Sequence, residues 1–274
     1  MRTTDRRAQV CRFRRSLLRW FRRHGRDLPW RRTRDPYRIV VSEFMLQQTQ
    51  VSRVAVYYAG FLARYPTLES LAAASPTSVR ESWEGLGYYR RATNLQRLAQ
   101  EVVRDRGGLI PSDPEELRRL PGVGRYTAGA IASFAFERAV PAVDTNVARV
   151  LQRAFYPRSR GKTITQRLWE LAALLVPTQA KNAWAFNQAI MELGALVCTA
   201  RVARCGACPV RKHCAMGKRR EAVTAALPRR TKRPARTSPR STPRCAAASA
   251  ARRSSAQPHR SDRADPAGSP SEGL

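Results

Sequence analysis

The sequence predicts an all-α fold, and three features point to it. Apolar residues return every third or fourth position through the first three quarters of the chain, the spacing of helices with one buried face. Alternation of the strand type is almost absent. Pro, Gly and Asp stand where helices start and stop.

Residues 6–24 read as a basic amphipathic helix with Val10, Phe13, Leu17, Trp20 and Phe21 on one side. Asp27-Leu28-Pro29-Trp30 interrupts it. Asp35-Pro36 is a helix start, since Pro is tolerated in the first turn, and a long helical pattern runs from Tyr37 through Tyr58. Pro66 and Pro76 punctuate two short helices. Leu86-Gly87-Tyr88-Tyr89 is a turn, and the helix after it reaches about Arg106, where Gly107-Gly108 stops it. Ser112-Asp113-Pro114-Glu115 caps a short helix ending at Leu120. Pro121-Gly122-Val123-Gly124 is a tight hairpin before a helix over 125–136, and further helices fall near 146–156, 163–176 and 183–197. No internal repeat occurs.

The net charge of the 274 residues is +31, with a pI near 11.5. Such charge suits a duplex backbone, because Lys and Arg gain affinity by displacing its counterions. Residues 1–217 carry +21 and residues 218–274 carry +10, so the predicted folded part is basic without its tail. From Lys218 onward Pro, Arg, Ser, Ala and Thr dominate and no Phe, Trp or Tyr occurs. That composition cannot bury enough apolar surface to offset chain entropy, so 218–274 is expected to be a basic disordered tail. No apolar run is long enough to span a membrane. Met1–Arg15 lacks the apolar core of a secretory signal, so an intracellular protein is expected.

Of six cysteines, four crowd together as Cys198-x6-Cys205-x2-Cys208-x5-Cys214. In an intracellular chain such crowding suggests metal, not disulfides. Thiolates suit tetrahedral zinc and iron–sulfur clusters alike. A zinc ribbon usually has two close Cys pairs, and this pattern has one. The uneven spacing resembles the 4Fe-4S loop of the endonuclease III superfamily. A cluster there would fix a loop carrying Arg201, Arg204, Arg211 and Lys212 toward phosphates. Cys11 and Cys245 lie outside the pattern.

Leu120-Pro121-Gly122-Val123-Gly124 resembles the helix–hairpin–helix motif. Two glycines let the backbone turn sharply and approach a phosphate, and the helix that follows offers free N–H groups to an anion.

Two carboxylates complete the constellation. Helical spacing puts Glu43 beside Ile39, Val40, Leu46 and Gln47. A carboxyl among apolar neighbours tends to keep its proton, as a general acid must. A solvated glutamate on the outer face of the same helix is the alternative. Asp144, in Val143-Asp144-Thr145-Asn146, suits a helix N-cap. It equally suits a carboxylate held toward a ligand. Together the pair fits glycosidic cleavage, one acid protonating the departing base and one carboxylate facing the oxocarbenium-like sugar.

Taken in order, Leu28-Pro29-Trp30, Ser42–Gln50, Gly85–Tyr89, Leu120–Ala130, Val143–Asn146 and the four cysteines resemble the adenine-specific mismatch DNA glycosylases of the helix–hairpin–helix base-excision superfamily. The match covers roughly residues 8–217. The resemblance implies two helical lobes, a catalytic region over 1–217 with its hairpin at 113–136, and a 4Fe-4S cluster on Cys198, Cys205, Cys208 and Cys214. It implies Glu43 as the acid at adenine N7, Asp144 beside the sugar, and Tyr126 and Asn146 in support. Arg26, Trp30, Arg31, Leu46 and Gln188 would line the pocket for the extruded base. Gln48 and Tyr88 would wedge the duplex open, while Leu120, Gly122, Val123 and Gly124 would meet its backbone. The implied partner is double-stranded DNA holding a mismatch, bound by a monomer.

In the endonuclease III branch a lysine follows the Gly-Arg of the hairpin and attacks the sugar. Here Tyr126 follows Gly124-Arg125, and a phenol forms no imine, so a glycosylase without efficient strand cleavage is expected. The alternatives are a T·G mismatch glycosylase of the same fold and a non-catalytic iron–sulfur DNA-binding protein. The resembled enzymes usually carry a further C-terminal domain of the Nudix type that helps recognise 8-oxoguanine. The 57 residues after Gly217 lack its aromatic and strand patterning, so that preference is not implied.

Overall fold

A computed structural model describes residues 3–159, 161 and 163–218. Eleven α-helices form between Thr3 and Leu196, and the described residues hold no strand and one isolated bridge, Cys198 to Ala203. The expected disordered tail and Cys245 lie outside the described residues.

Helix α1 (Thr3–His24) buries Val10, Phe13 and Leu17. A short 3-10 turn at Pro29–Arg31 buries Trp30. Helix α2 (Pro36–Leu46) starts where Asp35 accepts from the Arg38 N–H at 2.9 Å. The helical pattern expected through Tyr58 is broken. Helix α2 ends at Leu46 and α3 (Val51–Arg64) begins after a turn in which Gln48 has φ 58. The pattern stays helical because both segments bury faces of the same core. At the break stands Arg91, a buried residue distant in sequence that donates to the carbonyls of Phe44, Met45 and Gln47.

Helices α4 (Leu68–Ala73) and α5 (Pro76–Ser82) are the two short helices, the first opened by a capping box between Thr67 and Ser70. Helix α6 (Arg90–Arg106) ends on Gly107 in the left-handed region. Helix α7 (Pro114–Leu117) is capped by Asp113 and stops before Leu120. The hairpin leads into α8 (Arg125–Ala135), followed by α9 (Thr145–Phe155), α10 (Thr163–Leu175) and α11 (Ala180–Leu196).

Two hydrophobic cores form, in keeping with two helical lobes. One gathers residues between Leu28 and Ala142 around α2, α6 and α8. The other joins α1 to α9, α10 and α11. The chain therefore enters one lobe through α1, builds the whole of the other, and returns. No helix among the described residues is long and apolar enough to cross a membrane.

Candidate active site

Helix α2 is buried on nearly every side, which decides the state of Glu43. The residue is 3% exposed, so the solvated alternative does not hold. Burial pushes its carboxyl up to about 7. The charge of Asp144 pushes the same way, while the Tyr126 hydroxyl and the Arg31 cation oppose both. Tyr126, from the first turn of α8, donates to Glu43 Oε2 at 3.0 Å.

Asp144 caps α9 and accepts from the Val147 N–H at 2.7 Å. Its second oxygen accepts from Asn146 Nδ2 at 2.8 Å. Asn146 in turn accepts from Arg149 Nη2 at 2.7 Å, and the same guanidinium reaches the carbonyls of Gly194 at 2.9 Å and Cys198 at 2.9 Å. A continuous chain of hydrogen bonds thus runs from the Asp144 carboxylate to the first cysteine of the cluster loop. Gly194 makes this approach possible, since a Cβ there would sit 2.7 Å from Asn146 Cβ.

Glu43, Tyr126, Asp144 and Asn146 line one cleft of about 910 Å³. Arg26, Trp30, Arg31, Leu46, Gln48 and Gln188 line it too, so helices of both lobes build one site. Its floor holds a group that the sequence reading missed. Glu192 is 1% exposed and receives Arg26 Nε at 2.7 Å, Arg26 Nη2 at 2.9 Å and Arg31 Nη2 at 2.9 Å. Burial alone would raise its carboxyl, but the two guanidiniums more than offset that and hold it at about 2. Arg31 Nε also donates to Gln188 Oε1 at 2.7 Å, which fixes the orientation of that amide. Met191 and Trp169 line the same cleft, the latter under the Arg125 guanidinium at 4.0 Å from its ring centre.

Tyr88 does not line the cleft. It stands 62% exposed with φ 48, while Gln48 is exposed at the cleft margin. In the hairpin, Leu120 and Val123 are buried, so their side chains serve the core. What the hairpin offers outward is backbone: Gly122 at φ 77, and the first-turn N–H groups of α8 that lack intrahelical partners. A Cβ at Gly122 would strike Phe44 and Asn94, so only glycine fits.

The four clustered cysteines line one pocket, and no disulfide joins them. Arg153 Nη1 donates to Cys198 Sγ at 3.4 Å, and the Gly217 N–H to Cys214 Sγ at 3.4 Å. Burial pushes the Cys208 thiol up to about 11 and the Cys214 thiol in the same direction, and the neighbouring thiols add to it. Among the described residues no three His, Cys, Asp or Glu side chains stand close enough to share a single metal ion. Four cysteine thiolates are donors of the kind that iron–sulfur clusters and zinc both take. Arg201, Arg204 and Lys212 on this loop are exposed and Arg211 is half-buried.

Residues 41–173 match the family model of the HhH-GPD superfamily base excision DNA repair protein. The chain is 49% identical over 219 residues to the human adenine DNA glycosylase, covering 76% of this chain and 40% of that protein. It is 47% identical over 199 residues to the adenine DNA glycosylase of Mycolicibacterium smegmatis, covering 72% of this chain and 67% of that protein. The chain therefore spans well under half of its human relative and about two thirds of the bacterial one. Among solved structures, a thermostable thymine-DNA glycosylase matches with a TM-score of 0.71 at 31% identity, over 80% of this chain and 100% of that one. An endonuclease III trapped as a covalent intermediate with DNA matches at 0.66 and 26%, over 81% of this chain and 100% of that one.

Proposed function

The chain belongs to the HhH-GPD superfamily of base excision DNA repair proteins, on its adenine DNA glycosylase branch, and from that premise we propose that it hydrolyses the N-glycosidic bond of adenine mispaired with 8-oxoguanine or guanine. The observation that carries the reading is the pairing of Glu43 with Asp144. One carboxyl is desolvated enough to hold its proton near neutral pH, the other is fixed at a helix start, and both face one cleft.

The proposed steps follow from these residues. The target nucleotide leaves the duplex and enters the cleft. Glu43 gives its proton to adenine N7 as the bond from C1′ to the base breaks, and the bonding pair leaves with the base. The Asp144 carboxylate faces the positive charge that develops on the sugar. Water then adds to C1′ and gives up a proton to the Glu43 carboxylate, which restores the acid. Tyr126 cannot form an imine with the sugar, which supports hydrolysis without efficient strand cleavage.

Residues 1–217 would form the catalytic region and 218–274 a basic tail, acting as a monomer on mismatched duplex DNA. Cys198, Cys205, Cys208 and Cys214 would hold a 4Fe-4S cluster, whose thiolates would accept the N–H groups of Arg153 and Gly217. Bound there, the cluster would supply the positive centre that four crowded thiolates need.

The test is incubation with duplexes holding A opposite 8-oxoguanine, A opposite G, or T opposite G, followed by alkali. Breakage at A is expected. Breakage at T alone would transfer the assignment to the thymine branch, and binding without breakage would make the protein a non-catalytic DNA binder.

A further inference from the structure

We propose that Arg91 is the positioning residue that locks the two exposed left-handed residues, Gln48 and Tyr88, into one unit for extruding the target nucleotide. The inference rests on the glycosylase reading above and adds a residue to it.

The last carbonyls of a helix have no intrahelical partner, and those of α2 are served from outside. Arg91, in the first turn of α6, sends Nη1 to the carbonyls of Phe44 at 3.0 Å, Met45 at 2.7 Å and Gln47 at 2.5 Å. Its Nη2 reaches the carbonyls of Leu86 at 3.1 Å and Gly87 at 3.0 Å. Four terminal N–H groups thus serve five carbonyls, and one N–H is shared. The anchored carbonyls belong to the end of α2 with the turn after it and to the loop before α6, and each series ends one residue before a side chain with positive φ. Gln47 precedes Gln48 at φ 58, and Gly87 precedes Tyr88 at φ 48.

Neither Gln nor Tyr stays in the left-handed region unless its surroundings over-determine it. The guanidinium provides that constraint for both. Arg91 is 7% exposed as a residue, its Nε has no hydrogen-bond partner, and no carboxylate pairs with it among the described residues. Burial lowers its pKa, so the protein holds a cation in a costly place with carbonyl oxygens as its hydrogen-bond acceptors. Its carbon lies 5.5 Å from the ring centres of both Trp83 and Tyr88, and Trp83 Nε1 adds a bond to the Gly87 carbonyl at 3.2 Å. Each loop is therefore stiff behind an exposed tip. Side chains that part a base stack need such backing, because a loose loop would have to be ordered at the moment of insertion. Lysine cannot replace the fork, having three donors on one nitrogen.

The test uses the whole chain with Arg91→Lys and Arg91→Gln, alone and combined with Glu43→Gln to block excision. A duplex with 2-aminopurine at the target position reports unstacking by its fluorescence. The Glu43→Gln protein should raise that fluorescence on binding. The double variants should bind within about threefold of it yet give a small fraction of the rise. The single variants should excise adenine at least about tenfold more slowly, and up to roughly a hundredfold, with an unmoved alkaline limb in the pH profile, since Glu43 is untouched. A full fluorescence rise and a wild-type rate in both variants would overturn the proposal. So would melting of both below the assay temperature, which would make Arg91 a residue of the core alone. If the unaltered protein excises no adenine, the glycosylase reading fails first and this inference falls with it. If it excises and the variants match it, only the role of Arg91 is lost.

Discussion

The Tyr126 hydroxyl donates to Glu43 Oε2 at 3.0 Å, across 83 residues of sequence. The bond joins the first turn after the hairpin to the centre of α2, so the turn proposed to meet DNA and the proposed acid are set by one contact. Replacing Glu43 by Gln keeps the shape and removes the transferable proton. Excision in single turnover is expected to fall by about 10²–10⁴-fold while mismatch affinity stays within a few fold. Rapid excision by that variant would reject Glu43 as the acid.

As the proposed acid, Glu43 must be protonated to act, so its raised pKa would set the alkaline limb of activity. With Glu43 at about 7, the single-turnover rate should fall as pH rises through that value. The Tyr126 bond lowers the Glu43 pKa. Its loss in Tyr126→Phe should therefore move the limb to higher pH. Rate profiles between pH 5 and pH 9, roughly the range of this limb, decide the matter, and a limb that stays in place excludes tuning by Tyr126.

The same shift has a cost in stability. Between its unfolded value of 4.5 and about 7, the folded state binds a proton that the unfolded chain has released, so stability falls as pH rises through that window. The size is on the order of 3 kcal/mol. Glu43→Gln removes the penalty, so at neutral to mildly alkaline pH the inactive variant should melt several degrees above the parent protein. Equal melting points there would mean that the carboxyl is better solvated than its burial implies.

Glu192 works with the opposite sign. Its folded carboxyl, held at about 2, lies below the ordinary value of 4.5, so its contribution is present above 4.5 and disappears as pH falls toward 2. Glu192→Gln leaves the Arg26 and Arg31 guanidiniums without a counter-charge in the cleft floor. Removing one partner of a buried pair costs about 3–5 kcal/mol. Denaturant unfolding at neutral pH should register that loss, and a loss below about 1 kcal/mol would place the pair in the weak class of surface ion pairs.

What could be read from the sequence was local. Apolar spacing, Asp35-Pro36, Asp113-Pro114 and Gly107 mark helices because the signals sit within a turn of the boundaries they set. Glu43 stood out through the resemblance of Ser42–Gln50 to the glycosylases, since its helical neighbours alone left a solvated face the simpler reading. Glu192 did not, since a glutamate in Met191-Glu192-Leu193 looks like any solvated helix face until Arg26 and Arg31 arrive from the other end of the chain. The break after Leu46 was hidden for the same reason. Arg91 is one arginine in a very basic sequence, and only the fold shows that it meets the end of α2.

Arg149 offers the last test, because three bonds converge on it. Its guanidinium holds the Asn146 side chain, the Gly194 carbonyl and the Cys198 carbonyl, with Nη2 at 2.7 and 2.9 Å and Nε at 2.9 Å. Arg149→Ala would release Asn146, and Asn146 is what orients the second oxygen of Asp144. It would also strip a donor from the carbonyl of the first cluster cysteine. The expected result is an excision rate lowered by at least about tenfold, as misplacement of a reacting group produces, together with a stability loss of about 1–3 kcal/mol from the Gly194 carbonyl, which loses its donor, while the Cys198 carbonyl keeps the Arg153 guanidinium. Iron content measured against protein then separates two routes. Retained iron with slow excision locates the damage at Asp144, whereas lost iron locates it in the cysteine loop. A variant with parental rate and iron content would show that Asp144 is oriented by its cap bond to Val147 alone.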